Sequence, residues 1–156
     1  MIEITAVLNA GVERSALHRV VADLTTYPQW LDIVVAAEPE FEPVVNDIPG
    51  VPAWVVELRG QLGPLRRSKR LRMVRTELAA DRLRFERQEL DGRQHSPWVL
   101  SAVLAAGADD STTRLEMTLR YGGSLWLGPL DRLLRDEIER SRPRLVALTR
   151  QIADSR

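Results

Sequence analysis

Residues 20–34 read VVADLTTYPQWLDIV, and the fold follows from how this stretch is divided. Its first part closes an amphipathic helix. The chain then turns on Thr25-Thr26 and opens a second short helix at Tyr27-Pro28-Gln29-Trp30. Pro28 suits the first turn of a helix, because its fixed φ is already helical and its missing N–H would have no partner there.

Upstream, Ile2, Ile4, Ala6 and Leu8 alternate with Glu3, Thr5 and Val7, the period-two pattern of a half-buried strand. Asn9-Ala10-Gly11 breaks it. From Glu13 the apolar positions move to Ala16, Leu17, Val20, Val21 and Leu24, a helical stripe with an acidic residue expected in its first turn. Downstream, Val35, Ala37 and Phe41 are expected on one strand face and Glu38, Glu40 and Glu42 on the other. Residues 46–52 carry Asp47, Pro49, Gly50 and Pro52 and read as a loop. Trp54, Val56 and Leu58 then alternate with Val55, Glu57 and Arg59, and Gly60 and Gly63-Pro64 mark a hairpin turn into a strand over 65–76.

Ala79-Ala80-Asp81 is a further turn, after which Leu83 and Phe85 alternate with Arg82, Arg84 and Glu86. Asp91-Gly92 is a tight-turn dipeptide. Pro97 makes the start of the next strand, 98–105, an edge or entry point. Leu115, Met117, Leu119 and Tyr121 alternate with Arg114, Glu116, Thr118 and Arg120 in the clearest strand of the chain. Beyond Gly122-Gly123 the pattern becomes helical. Leu127, Leu130, Leu134, Ile138, Leu145, Leu148 and Ile152 form one stripe, with Ser141 in an apolar slot and Pro143 expected to bend or divide the helix.

Strands punctuated by frequent turns, with helices confined to the beginning and the end, give an α+β domain with an antiparallel sheet. The order of elements resembles the START-like (SRPBCC, polyketide cyclase/dehydrase and lipid transport) superfamily over nearly the whole chain. The carriers of the resemblance are the Tyr27-Pro28-Gln29-Trp30 turn, the Tyr121-Gly122-Gly123 hinge and Leu127-Gly128-Pro129-Leu130. It implies one helix-grip domain over 1–156: two short helices after the first strand, then a curved seven-strand antiparallel sheet wrapped around a long C-terminal helix that starts near Leu127. It further implies a pocket for an apolar or amphipathic small molecule.

Composition narrows the chemistry. There is no cysteine and there are two histidines, His18 and His95, so thiolate catalysis and cysteine zinc sites are excluded and a histidine-rich metal site is disfavoured. No metal and no cofactor are expected. Charges balance at 22 basic and 22 acidic residues, which gives nucleic-acid binding no global electrostatic support. No apolar run is long enough to span a membrane, and residues 1–4 do not open a secretory signal, so a cytoplasmic, soluble protein is expected. Gly-x-Ser-x-Gly, Gly-Lys-Ser/Thr and His-Glu-x-x-His are all lacking.

Candidate ligand-binding residues are those on inward faces. For Trp54, Met73, Phe85, Trp98, Met117 and Tyr121, packing the core and lining a cavity are not exclusive, with Leu71 beside them. Tyr27 and Trp30 either gate its mouth or pack the short helix on the sheet. Strict alternation puts Arg87 on the inward face with Leu83 and Phe85, where an unpaired charge is costly. It lies at the wet end of the sheet, or pairs with Glu89, or recognises an anionic or carbonyl group of a ligand. His95 reads as a solvated or hydrogen-bonded histidine beside a turn. The run Arg66-Arg67-Ser68-Lys69-Arg70-Leu71-Arg72, extended to Arg75, holds six cations and no anion. A strand splits it between two faces, and a solvated outer face offset by Glu57 and Glu86 across the strands is expected.

The leading expectation is binding or transport of a hydrophobic molecule (a lipid, a quinone or a polyketide). The alternatives are a cyclase or dehydratase, with Arg87, Tyr121 or His95 moving protons, and a protein-interaction module with a protein partner on the outer sheet face.

Overall fold

The computed structural model describes residues 2–40, 44–45, 48–62, 65–122 and 130–155; the side chains of 44–45, 48–49, 61–62, 65–67, 130–131 and 133 are not part of that description. In chain order the elements are β1 (Ile2–Ala10), α1 (Arg14–Val21), a 3₁₀ helix (Leu24–Gln29), β2 (Val34–Glu40), β3 (Val44–Val45), β4 (Ile48–Pro49), β5 (Ala53–Leu62), β6 (Leu65–Ala79), β7 (Arg82–Arg87), β8 (Trp98–Ala106), β9 (Thr113–Tyr121) and α2 (Leu130–Asp154). Seven strands form one antiparallel sheet in the order β1-β9-β8-β7-β6-β5-β2. The sheet curves as a half-barrel against the C-terminal helix, the helix-grip arrangement.

Alternation sets the faces. In β1 the side chains of Ile4, Ala6, Leu8 and Ala10 are buried and those between them exposed; in β5 Trp54, Val56 and Leu58 are buried and Val55 and Glu57 between them half-buried. Two bulges interrupt this regularity, between Val34 and Ala36 in β2 and between Arg75 and Glu77 in β6. A bulge adds a residue on one strand and sharpens its bend, so both help the sheet curl. The β2 bulge also corrects the expected faces there: Val34 and Ala37 are buried, while Val35 is turned out to solvent.

The stretch from 20 to 34 divides earlier than expected. Ala22 ends α1, and Asp23 caps the 3₁₀ helix by accepting a hydrogen bond from the N–H of Thr25 at 3.0 Å. Thr25-Thr26 therefore belongs to the second helix, and Pro28 sits near its end instead of in its first turn. Glu13 is the N-cap residue of α1, not a member of its first turn, and makes no side-chain cap. Within 46–52, Ile48-Pro49 pairs with Val44-Val45 as a small separate hairpin. Asp91-Gly92 does not join two strands directly. It folds an Asx turn, with Gly92 at φ 73° and Asp91 Oδ1 accepting from the N–H of Arg93, inside the longer connection 88–97. Gly60 is not part of the turn after β5 but lies within that strand, opposite Arg67. Phe41, Glu42, Gly63-Pro64, Gly123 and the expected helix start at Leu127 lie outside the described residues.

Helix α2 runs as one element through Pro143, so the proline does not divide it. Ser141 is buried and donates to the carbonyl of Ile138 at 2.6 Å, and Thr149 donates to that of Leu145 at 2.8 Å. Such i−3 and i−4 bonds let a hydroxyl occupy an apolar stripe. The helix is fastened to its surroundings at both ends of the sheet. Buried Glu137 accepts from the N–H of Asp32 at 2.9 Å and pairs with Arg140 at 2.7 Å. Arg144 pairs with Asp32, which holds that carboxyl below its ordinary value. Arg150 donates to the carbonyl of Gly11 at 3.0 Å.

Candidate ligand-binding cavity

The concave face of the sheet, the 3₁₀ helix and α2 do not meet everywhere, and a cavity of about 90 Å³ remains between them. The 3₁₀ helix and the residues after it supply Leu24, Tyr27, Trp30, Leu31, Ile33 and Val34. From the sheet come Val56 and Leu58 of β5, Leu71 and Met73 of β6, Trp98 and Leu100 of β8, and Met117 and Leu119 of β9. Leu134 and Ile138 of α2 close the remaining side. Empty space persists beside Met117 partly because its neighbours across the sheet are alanines, Ala6 on one side and Ala102 on the other.

Of the residues singled out in the sequence, Trp30, Met73, Trp98 and Met117 line this cavity, as does Leu71. Trp54, Phe85, Arg87 and Tyr121 stand outside the described lining and surround it in two groups. Under the 3₁₀ helix, Tyr27 lies 4.5 Å from Trp30 between ring centroids, Phe85 meets Tyr27 edge-on at 6.3 Å, and Trp54 meets Phe85 edge-on at 5.5 Å. Tyr27 and Trp30 are buried and pack the 3₁₀ helix on the sheet as the floor of the cavity. The polar atoms of this floor are already engaged. The Tyr27 hydroxyl donates to the carbonyl of Val21 at 2.8 Å, and burial pushes its pKa well above the ordinary tyrosine value. Trp54 Nε1 donates to Thr25 Oγ1 at 3.0 Å.

At the other end, buried Tyr121 stacks on Trp98 with centroids 5.0 Å apart. Arg87 is held close by, its side chain 9% exposed. Of the readings open to it, pairing is what the structure contains. Glu89 lies 3.6 Å from its Nε, its Nη1 donates to the carbonyl of Ser96 at 3.2 Å, and its Nη2 donates to His95 Nδ1 at 3.3 Å. His95 Nε2 in turn donates to Asp91 at 2.8 Å. These bonds tie the connection 88–97 to the end of β7, beside the middle of β6.

The basic run divides more sharply than the sequence suggests. Arg72 pairs with Glu40 at 3.0 Å, while Glu57 pairs with Arg59 and Glu86 with Arg84, so the expected offset by Glu57 and Glu86 across the strands is not what forms among the described residues. Arg75 lies on the inner face, donating to the carbonyl of Ala22 at 2.9 Å with its guanidinium 5.8 Å from the Trp54 ring centroid. Lys69 is also on the inner face, in step with Leu71 and Met73 and directly across from Leu58. Sequence reasoning passed over Lys69, although its parity with Leu71 was readable. Also unsuspected as lining were Leu24, Ile33 and Val34, which reach the cavity through the 3₁₀ helix and the bulge that follows.

Among the described residues no cluster of three or more His, Asp or Glu could hold a metal ion, and no helix is long and apolar enough to cross a membrane.

No family model matches the sequence, and no curated protein matches it. Solved structures do resemble the fold. A START superfamily protein from Mycobacterium smegmatis superposes with a TM-score of 0.69 at 15% identity, covering 96% of this chain and 98% of that one. A protein from Thermus thermophilus gives 0.68 at 16% identity over 99% and 100% of the two chains. The di-domain ARO/CYC protein StfQ of the steffimycin biosynthetic pathway gives 0.63 at 12% identity, with 98% of this chain covering 52% of that one. A seven-strand antiparallel half-barrel around one long helix, shared end to end with these structures, gives this chain the START-like helix-grip fold.

Proposed function

We propose that this chain binds a hydrophobic or amphipathic small molecule in the cavity between sheet, 3₁₀ helix and α2, as a carrier or sensor of that molecule. The observation that carries this reading is the lining: every side chain in it presents hydrocarbon, sulfur or aromatic surface, and the space is left unfilled. Packed cores rarely retain voids larger than a water molecule, and apolar cavities of this kind stay dry and take up apolar guests. At about 90 Å³ the cavity is well below the roughly 300–1,000 Å³ of pockets that bury drug-sized ligands. A lipid- or polyketide-sized molecule therefore requires the lining to yield, and Met73 and Met117 are the side chains most able to do so.

The alternative of a cyclase or dehydratase has support from the ARO/CYC neighbour. It has less from the site. Tyr27 supplies the only titratable side chain among the described lining, and its hydroxyl is committed to Val21. Arg87, His95 and Tyr121 stand outside that lining. Native mass spectrometry of the purified protein tests the binding reading. A co-purified small molecule, released on denaturation, is expected. If no such molecule is found and no apolar fluorescent probe binds, the reading fails.

A further inference from the structure

One corner of the cavity is not apolar behind its surface. Trp98 lines the space and is 4% exposed, yet its indole Nε1 is buried with no hydrogen-bond partner among the described residues. A buried donor left unpaired is costly, and native structures contain few of them without a reason. Above the same ring, 5.8 Å from its centroid, lies the ammonium of Lys69, the one lysine of the chain. Lys69 stands outside the lining itself, but lies directly across from Leu58 and two residues before Leu71, both of which line the cavity. It makes no ion pair among the described residues.

The charges around Lys69 do not neutralise it. Arg87 repels it and Glu89 attracts it, and those two are paired with each other at 3.6 Å. Partial burial, with Arg87 added, pulls its pKa down, which is the response of an ammonium short of a counter-charge. Arg87 has little left to offer a ligand, since its Nη1 and Nη2 are bonded to Ser96 and His95. Its Nε is buried without a hydrogen bond among the described residues and faces only Glu89 at 3.6 Å. Beside the cavity there are thus an unpaired indole donor, an ammonium that rests on the Trp98 ring with no carboxylate partner among the described residues, and a fixed guanidinium.

We infer that this corner receives an anionic head, a carboxylate above all, so that the ligand is an amphipathic monoacid with its apolar body in the cavity and its carboxylate between Lys69 and Trp98. This rests on the binding reading above and specifies the ligand class for it. A lysine suits a single carboxylate oxygen, since it acts as a mobile point charge and not as a two-pronged fork. The neighbouring indole N–H supplies a donor for the second oxygen. A neutral alcohol or ketone would satisfy the indole but leave the ammonium as it is.

The test uses two matched series, straight-chain carboxylates and alcohols of four to twelve carbons, titrated calorimetrically against the full chain at neutral pH. At the best chain length the acid should bind about tenfold or more tightly than the alcohol, the scale of a charge-assisted hydrogen bond. Lys69→Met, which keeps an apolar stem, should erase this preference while retaining alcohol binding; Lys69→Arg should keep most of the preference. Trp98→Phe removes the indole donor and should weaken the acid more than the alcohol. If alcohol and acid bind equally, or Lys69→Met leaves the preference intact, the inference is overturned and the binding reading stands. If no member of either series binds, both fall.

Discussion

Replacing Met117 by tryptophan asks whether the cavity is the binding site. The void of about 90 Å³, at about 24 cal/mol per Å³, corresponds to about 2 kcal/mol of packing that the fold forgoes. Met117 lines this space with Ala6 and Ala102 as its cross-strand neighbours, so a larger side chain has somewhere to go. Overpacking costs about 1–3 kcal/mol, of the same size as the packing gained. Met117→Trp should therefore change stability by no more than about 2 kcal/mol in either direction. Its effect on binding should be much larger. A ligand present at 100 times its dissociation constant stabilises the native state by about 2.7 kcal/mol. For a chain of 156 residues this is a rise in Tm of about 5–10 °C. Thermal scans with and without the tightest-binding alkanol should show that rise in the wild type and little or none in Met117→Trp. Two results refute the reasoning: an equal ligand-induced rise in both proteins, which places the ligand elsewhere, or a loss of more than about 4 kcal/mol on substitution, which means that the space is not available to a side chain.

Two further predictions concern the frame around the cavity. Glu137→Ala strands the N–H of Asp32 and should cost about 1–3 kcal/mol in urea denaturation; Glu137→Gln keeps an acceptor and should cost clearly less, and equal losses would show that this hydrogen bond is not responsible. Tyr27 has its pKa raised above the ordinary value of 10.0, so it stays protonated in the native state while the unfolded chain ionises, and it contributes stability below that pH which is lost as pH rises beyond it. Wild type and Tyr27→Phe should then show the same phenolate absorbance rise in alkaline titration until unfolding, and a smaller rise in the folded variant would contradict the burial argument.

The sequence carried the architecture because alternation is a direct image of burial. Leu115, Met117 and Tyr121 are buried on one face of β9, as their spacing required. Misreadings arose where the period breaks. One extra residue at the β2 bulge turned Val35 outward. The 3₁₀ helix started three residues before Tyr27, because the cap at Asp23 decided its register and Pro28 did not. The cavity itself was less legible. Facing inward is a property of strand parity, whereas lining a void depends on where the helices fail to reach. Trp54 and Phe85 face inward yet are covered by the aromatic floor beneath the 3₁₀ helix, while Met117 is left beside open space. Lys69 was overlooked for a different reason. Six cations close together read as one surface, although strand parity alone sets Lys69 with Leu71 and apart from Arg70 and Arg72.

The pairing of β1 with β9 also governs how the chain reaches this structure. Ile2 faces Tyr121 and Ala10 faces Thr113, partners more than a hundred residues apart in sequence. Nothing local can hold β1 in place. Its apolar side chains, Ile4 and Leu8 among them, wait exposed during synthesis until β9 has been made. Loop closure of that length is a cost met before any contact repays it, which places folding in the slow, non-local regime of milliseconds to seconds. The ribosome-bound intermediate lacking β9 is consequently the form of this chain most open to aggregation or to capture by a chaperone.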